Sequence, residues 1–116
     1  MEKFEFEKSK VFITADVLEY RPDSVMIKII IKRPTGDISL VSFDSGQALA
    51  KKTFPFDSFV QIIDGKAEVV IDDQSNLLET GQSIIIPAHS YNTIKANERF
   101  KMLYTMIKSG YEDVIL

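Results

Sequence analysis

The chain contains two β-rich stretches that each begin at a glycine. Residues 46–65 read GQALAKKTFPFDSFVQIIDG, and residues 81–96 read GQSIIIPAHSYNTIKA. Both combine apolar, β-branched and aromatic residues with turn-forming residues, a pattern typical of short strands. The Asp64–Gly65 step at the end of the first stretch predicts a tight hairpin, because it supplies the positive φ angles that such a turn needs. The two stretches together predict antiparallel β structure.

The rest of the chain has the same character. Ala67, Val69 and Ile71 alternate with polar neighbours, as in a half-buried strand. Residues 72–76 predict a hairpin loop, and residues 15–20 one short helix at most. The further predicted strands lie near Val25–Lys32, Ile38–Asp44, Phe59–Ile63, Gln82–Ile86, Tyr91–Lys95 and Phe100–Ile107. About seven short strands with close turns predict an all-β sandwich or barrel.

Length and composition indicate one globular domain and exclude several classes of protein. The chain has 116 residues, of which 45% are hydrophobic, and a net charge of −3 with both signs mixed along it. Nucleic-acid binding is not expected, because it requires a basic stripe. The absence of cysteine excludes disulfides and thiolate metal ligands. The charged start predicts no signal peptide, and no apolar run approaches the roughly 18 residues of a membrane helix, so we expect a cytoplasmic protein that does not bind membranes.

The two stretches resemble the two sequence motifs of the cupin family. The framework glycines Gly46, Gly65 and Gly81 and the proline Pro87 stand at the family spacing. The resemblance extends over about residues 25–108. It implies the cupin double-stranded β-helix, a jelly-roll barrel, for residues 25–116. Residues 1–24 are then an N-terminal extension that packs on the barrel or on a dimer partner.

The metal-ligand positions of the family are replaced in this sequence. Metal-binding cupins place two His and a Glu in the first motif and another His in the second. The matching positions here are Lys52, Phe54, Ser58 and Asn92. An ammonium group and a phenyl ring offer no lone pair to a metal, and Ser and Asn are weak neutral donors. The only histidine, His89, stands where the motif has glycine, and we expect it to be a surface or loop-packing residue; no metal and no cofactor are expected.

The same positions are candidates for a ligand site inside the barrel. Lys52 has three expected roles: a base or Schiff-base former with its pKa lowered by burial, a partner of an anionic ligand, or a residue that extends its ammonium group to the barrel opening. Asn92 is expected to bind a polar molecule or else to satisfy backbone groups, and Ser58 to offer a hydroxyl or simply to leave room. Tyr104 needs a hydrogen-bond partner if it is buried. The predicted ligand-binding residues are Lys52, Phe54, Ser58, Asn92 and Tyr104.

Three functions are compatible with this interpretation. The leading hypothesis is a metal-free module whose barrel binds a small molecule, such as a sugar-like or anionic metabolite, through Lys52, Asn92 and Tyr104. The first alternative is an enzyme, either a metal-independent isomerase or epimerase or a dioxygenase-like cupin with unusual metal ligands. The second is a structural or regulatory homodimer without a ligand. Cupins commonly pair through an N-terminal strand, and the alternation of Phe4, Phe6, Val11 and Ile13 suits such an exchange, so a homodimer is expected in any case.

Overall fold

The computed structural model of the protein describes residues 5–111, and these residues form an all-β fold of eight strands. The strands are β1 (Val25–Arg33), β2 (Gly36–Phe43), β3 (Ala48–Lys52), β4 (Asp57–Ile71), β5 (Gln74–Glu79), β6 (Ser83–Ile86), β7 (Asn92–Lys95) and β8 (Phe100–Ile107). Residues 15–20 form turns, so the short helix considered for them is absent. Within residues 5–111 there is no helix of the length and apolarity that would cross a membrane.

The strands form two antiparallel sheets that share β4. The first sheet has the order β1-β2-β8-β4-β6, and the second has the order β5-β4-β7-β3. Because inward and outward side chains alternate along each strand, one face of each sheet supplies the core. Its fully buried members include Phe43, Val60, Ile62, Val69, Ile94, Phe100 and Met102. The predicted all-β jelly-roll barrel of the cupin type is confirmed.

β4 passes from the first sheet into the second at Gly65, and the predicted hairpin at Asp64–Gly65 is therefore wrong. Gly65 has a φ of +86° and follows an irregularity in the pairing with β8 between Ile62 and Asp64. A Cβ atom there would lie 3.0 Å from the Cα of Phe100 on β8. Glycine is thus required because strands β4 and β8 approach closely at this point. The positive φ bends β4 as a continuous strand and does not reverse it.

The reversal occurs farther along the chain, at Asp72 and Asp73. These residues have φ values of +47° and +67°, and Ile71 pairs with Gln74 across them. Positive φ at both central residues is the geometry of a two-residue hairpin turn. The loop predicted over residues 72–76 is correctly placed but too long, since β5 begins at Gln74. Neither β5 nor β3 was predicted as a strand.

The N-terminal segment, from residue 5 to residue 24, lies on the outer face of the first sheet. The Lys101 ammonium donates to the Ala15 carbonyl at 2.6 Å, and the Ser42 hydroxyl donates to the Glu19 carbonyl at 2.8 Å. Leu18 is buried there. Farther towards the N-terminus, the Phe6 amide donates to the Ile30 carbonyl at the outer edge of β1, at 3.0 Å. Phe4 lies outside the described residues.

Candidate functional site

One end of the barrel is built from two connections that cross between the sheets. Residues 53–56 join β3 of the second sheet to β4 of the first, and residues 87–91 join β6 of the first sheet to β7 of the second. The His89 amide donates to the Phe54 carbonyl at 2.7 Å and ties the two connections together. We call this end, made of the two connections and the strand ends beside them, the mouth.

On the second sheet, Lys52 and Asn92 form the inner wall of the mouth. They are directly opposite each other in the pairing of β3 with β7. The Asn92 side chain is only 3% exposed, and its Nδ2 makes a long hydrogen bond of 3.4 Å to the Lys52 carbonyl. Its Oδ1 is buried and has no hydrogen-bond partner among the described residues. Unpartnered buried acceptors are rare in native proteins and mark a strained or functional position.

The Lys52 ammonium group is half-buried on the strand beside Asn92. It lies 5.2 Å from the centre of the Phe54 ring, a cation–π distance. No carboxylate among residues 5–111 forms an ion pair with it. Burial lowers the pKa of Lys52, because the charged form loses water without gaining a counter-ion. The fold thus places a cation in a partly desolvated position that an anion would stabilise.

On the first sheet, Ser58 and Tyr104 form the facing wall. Ser58 is 3% exposed, and its hydroxyl lies 3.1 Å from the Tyr104 hydroxyl. Burial raises the pKa of Tyr104 and the charge of Asp37 raises it further, while the hydrogen bond with Ser58 lowers it. The phenol is therefore neutral at physiological pH. The partner that a buried Tyr104 would need is Ser58.

The sequence analysis missed two polar residues of this wall, Asp37 and Ser39. Ser39 is opposite Tyr104 in the pairing of β2 with β8, and Asp37 lies on the same face one step nearer the end of the strand. The Asp37 carboxylate pairs with the Lys108 ammonium at 2.9 Å. Successive side chains of β2 alternate between the two faces of the sheet, so Asp37 and Ser39 lie on the same inner face as the core residues Val41 and Phe43. This alternation could have predicted both residues from the sequence.

The rim of the mouth is fixed by Asp57 at the start of β4. Its Oδ1 accepts the Ala88 amide at 2.8 Å, and its Oδ2 accepts the Tyr111 hydroxyl at 2.6 Å. These hydrogen bonds, with the one from Tyr111 as the largest cause, hold the pKa of Asp57 below its ordinary value. Tyr111 also packs edge-on against Phe56 at 5.7 Å. The two crossing connections are thus held by side chains that do not face the ligand positions.

The residues at the mouth do not fit a metal centre. Within residues 5–111, no group of three or more His, Asp or Glu side chains is close enough together to hold a metal ion. The four positions that match the family's metal ligands carry Lys52, Phe54, Ser58 and Asn92, which is a poor donor set for a transition metal. His89 lies in the connection and has a φ of +68°, the conformation that the glycine of the motif would favour.

Comparison with solved structures gives close matches to this architecture. A cupin superfamily protein from Desulfitobacterium hafniense superposes with a TM-score of 0.80 and 26% identity, over 90% of this chain and 95% of that one. A cupin 2 conserved barrel domain protein from Leptotrichia buccalis superposes with a TM-score of 0.78 and 27% identity, over 81% of this chain and 46% of that one. This chain has the cupin fold. A conserved protein of unknown function from Streptococcus pyogenes is also similar, with a TM-score of 0.85 and 28% identity over 93% and 96% of the two chains.

The resemblance inferred from the two motifs is therefore confirmed at the level of the fold. No family model matches this chain, and no curated protein sequence matches it. The framework glycines and Pro87 explain why the barrel was recognisable, while the replaced ligand positions lie at its mouth.

Proposed function

We propose that this cupin is a metal-free binding module that holds a small polar molecule at the mouth, against Lys52, Asn92 and Tyr104. The observation that carries the proposal is the buried Oδ1 of Asn92, which has no partner among residues 5–111. Leaving a buried acceptor without a donor costs about 1–3 kcal/mol. A bound molecule that donates to this oxygen would remove that cost.

The surroundings of Asn92 support a ligand of limited size and mixed character. Lys52 offers a positive charge without an ion-pair partner among the described residues, and Phe54 offers an apolar face beside it. The hydroxyls of Ser58 and Tyr104 contribute on the opposite wall. An apolar cavity with a few convergent polar groups is the usual form of a small-molecule site.

A ligand screen monitored by two-dimensional amide NMR on the full chain tests this function. We expect metabolite-sized ligands to shift the amide signals of Lys52, Asn92 and Tyr104, and Lys52→Met to weaken their binding. Lys51→Met is the matched control, because Lys51 is the exposed neighbour whose ammonium pairs with Asp73 at 3.3 Å. If no compound shifts the mouth signals, or if both lysine variants weaken binding equally, the proposal fails.

We also propose that this cupin forms a homodimer through its N-terminal segment. Val11 is 101% exposed and Ile13 is 64% exposed, although the rest of the segment is held on the first sheet. Large apolar side chains in such a position are typical of a surface that another chain covers. Burial by a second copy would remove them from water.

Light scattering coupled to gel filtration tests the dimer. Val11→Asp together with Ile13→Asp is expected to give a monomer, whereas Leu77→Asp, at a position 75% exposed on β5, is expected to leave the dimer intact. A wild-type monomer at tens of micromolar would refute it.

The cytoplasmic location expected from the composition also stays a proposal, for which cell fractionation is the test.

A further inference from the structure

Two polar groups at the mouth lack a polar partner among residues 5–111, the Lys52 ammonium and the Asn92 Oδ1, and they lie on neighbouring strands. Lys52 and Asn92 are partners on antiparallel strands, just after an irregularity in the register of β3 with β7, and the Asn92 Nδ2 donates to the Lys52 carbonyl at 3.4 Å. The ammonium group can only donate hydrogen bonds, and the Asn92 Oδ1 can only accept them. A ligand that satisfies both must present an acceptor and a donor within a few ångströms of each other.

A carboxylate with a hydroxyl on the next carbon has this arrangement. The carboxylate carries one negative charge, which balances the single charge of Lys52, and charge-assisted hydrogen bonds of this kind are the stronger ones. The hydroxyl donates to the Asn92 Oδ1, which has no other donor among the described residues. A plain carboxylate would leave the Asn92 oxygen unpartnered, and a neutral alcohol would leave Lys52 without a counter-ion.

The facing wall selects the remainder of the ligand, beyond the carboxylate and its neighbouring hydroxyl. Ser58 and Tyr104 share one hydrogen bond at 3.1 Å, and whichever hydroxyl donates it, the other keeps a hydrogen for the ligand. Asp37 lies beyond them on the inner face of β2, with its charge paired to Lys108 at 2.9 Å. Further hydroxyls on the ligand are therefore favoured at this wall, and a second carboxylate is repelled by Asp37.

We propose that the mouth binds polyhydroxy monocarboxylates, the chemical class of the sugar acids, with the carboxylate on Lys52 and the adjacent hydroxyl on Asn92. This inference rests on the binding function proposed above. It adds the orientation of the ligand and the exclusion of three neighbouring classes, namely plain carboxylates, neutral polyols and dicarboxylates.

A matched series of six-carbon compounds tests the class. D-gluconate has one carboxylate and a hydroxylated chain, hexanoate has the carboxylate alone, D-sorbitol has the hydroxyls alone, and D-glucarate has a second carboxylate. Each is titrated into the full chain in phosphate-free buffer and followed by amide NMR or calorimetry. Gluconate is expected to bind at least about tenfold more tightly than each of the other three, because sorbitol lacks the charge for Lys52, hexanoate lacks the hydroxyl for Asn92, and glucarate brings a second carboxylate towards Asp37.

Two variants locate the contacts. Lys52→Met and Asn92→Leu are each expected to weaken gluconate binding about tenfold or more, and Lys51→Met to leave it unchanged. Asn92→Leu is expected to reduce the preference for gluconate over hexanoate to the part that the hydroxyls of Ser58 and Tyr104 contribute. Circular dichroism of each variant checks that it folds, and Lys52→Met tests the site independently if Asn92→Leu does not fold.

Each alternative result refutes a defined part of the proposal. Equal binding of hexanoate and gluconate by the wild type refutes the role of Asn92, and equal binding of sorbitol and gluconate refutes the role of Lys52. If none of the four binds while other compounds shift the mouth signals, the ligand class is wrong and the proposed binding function stands. If no compound of any class shifts those signals, the binding function fails with it.

Discussion

Replacing Asn92 by leucine should leave the ligand-free protein at least as stable as the wild type, although Asn92 is almost completely buried. Leucine has the same number and branching of heavy atoms as asparagine. The substitution removes a buried acceptor that costs about 1–3 kcal/mol when unpartnered. It loses one hydrogen bond, to the Lys52 carbonyl, which at 3.4 Å is long and is worth at most about 0.5–1.5 kcal/mol. The net expectation is a variant more stable than the wild type by about 0–2 kcal/mol.

Urea denaturation of the ligand-free proteins measures this difference in the free energy of unfolding. The matched control is Ser58→Ala, because Ser58 is equally buried, at 3% exposure, but its hydroxyl has a partner in Tyr104. The control is expected to destabilise the protein by about 1–3 kcal/mol, since it leaves the Tyr104 hydroxyl unpartnered. The two substitutions should therefore change the free energy of unfolding with opposite signs.

The reasoning is refuted if Asn92→Leu destabilises the protein as much as Ser58→Ala does. That result would mean that the Asn92 oxygen is already satisfied in the folded protein, and that the residue serves the structure of the mouth. Addition of gluconate gives a second readout. It should raise the stability of the wild type by mass action, and should raise that of Asn92→Leu by less because the variant binds gluconate more weakly.

Three further experiments test other parts of the fold and site. In a double-mutant cycle by urea denaturation, Ser58→Ala and Tyr104→Phe should together cost less than the sum of the single changes by about 0.5–1.5 kcal/mol, and strict additivity would show that the two hydroxyls do not interact. Gly65→Ala should destabilise by about 2–4 kcal/mol, and Gly81→Ala, where φ is +90° but no atom lies within 4 Å of the added Cβ, by only about 1–2 kcal/mol. Equal losses would contradict the close approach of β4 to β8. Burial lowers the pKa of folded Lys52 below the lysine value of 10.5, so between these two pKa values the unfolded chain binds more protons than the folded one. The stability of the wild type relative to Lys52→Met should therefore rise as the pH rises through that interval. Parallel pH profiles of the two proteins would contradict this.

The fold was largely predictable because apolar and polar residues alternate along most of its strands, and turn residues separate the strands. The alternation of Ala67, Val69 and Ile71 predicts the inward face of β4 correctly, as their burial shows. The error at Asp64–Gly65 arises because a positive φ serves equally in a hairpin turn and in a bend of a continuous strand. What distinguishes the two is the approach of Phe100 on β8 to Gly65, a contact between residues far apart in the chain that no local pattern contains.

The candidate site was only partly accessible from the sequence. The motif positions identified four of its residues by resemblance, and they do gather at one end of the barrel. The state of each residue was not accessible. That Asn92 Oδ1 lacks a partner within the described chain while Ser58 has one depends on the register of β7 and β8 against β4 and on side-chain geometry.

The contrast between the two ends of the barrel supports the proposed binding site at the mouth. At the opposite end the polar groups pair with one another: the Gly46 amide donates to the Ala96 carbonyl at 2.6 Å, Thr80 donates to the Gly65 carbonyl at 3.1 Å, and Asn97 donates to Glu68 at 3.1 Å. At the mouth, within the described chain, a buried oxygen lacks a donor and a half-buried ammonium lacks an ion pair. Apolar residues in these places would have been compatible with the same barrel and would cost less. The Asn92 oxygen and the Lys52 ammonium reduce the stability of the barrel, whereas the polar groups named at the opposite end do not. A ligand that carries both an acceptor and a donor would explain this difference.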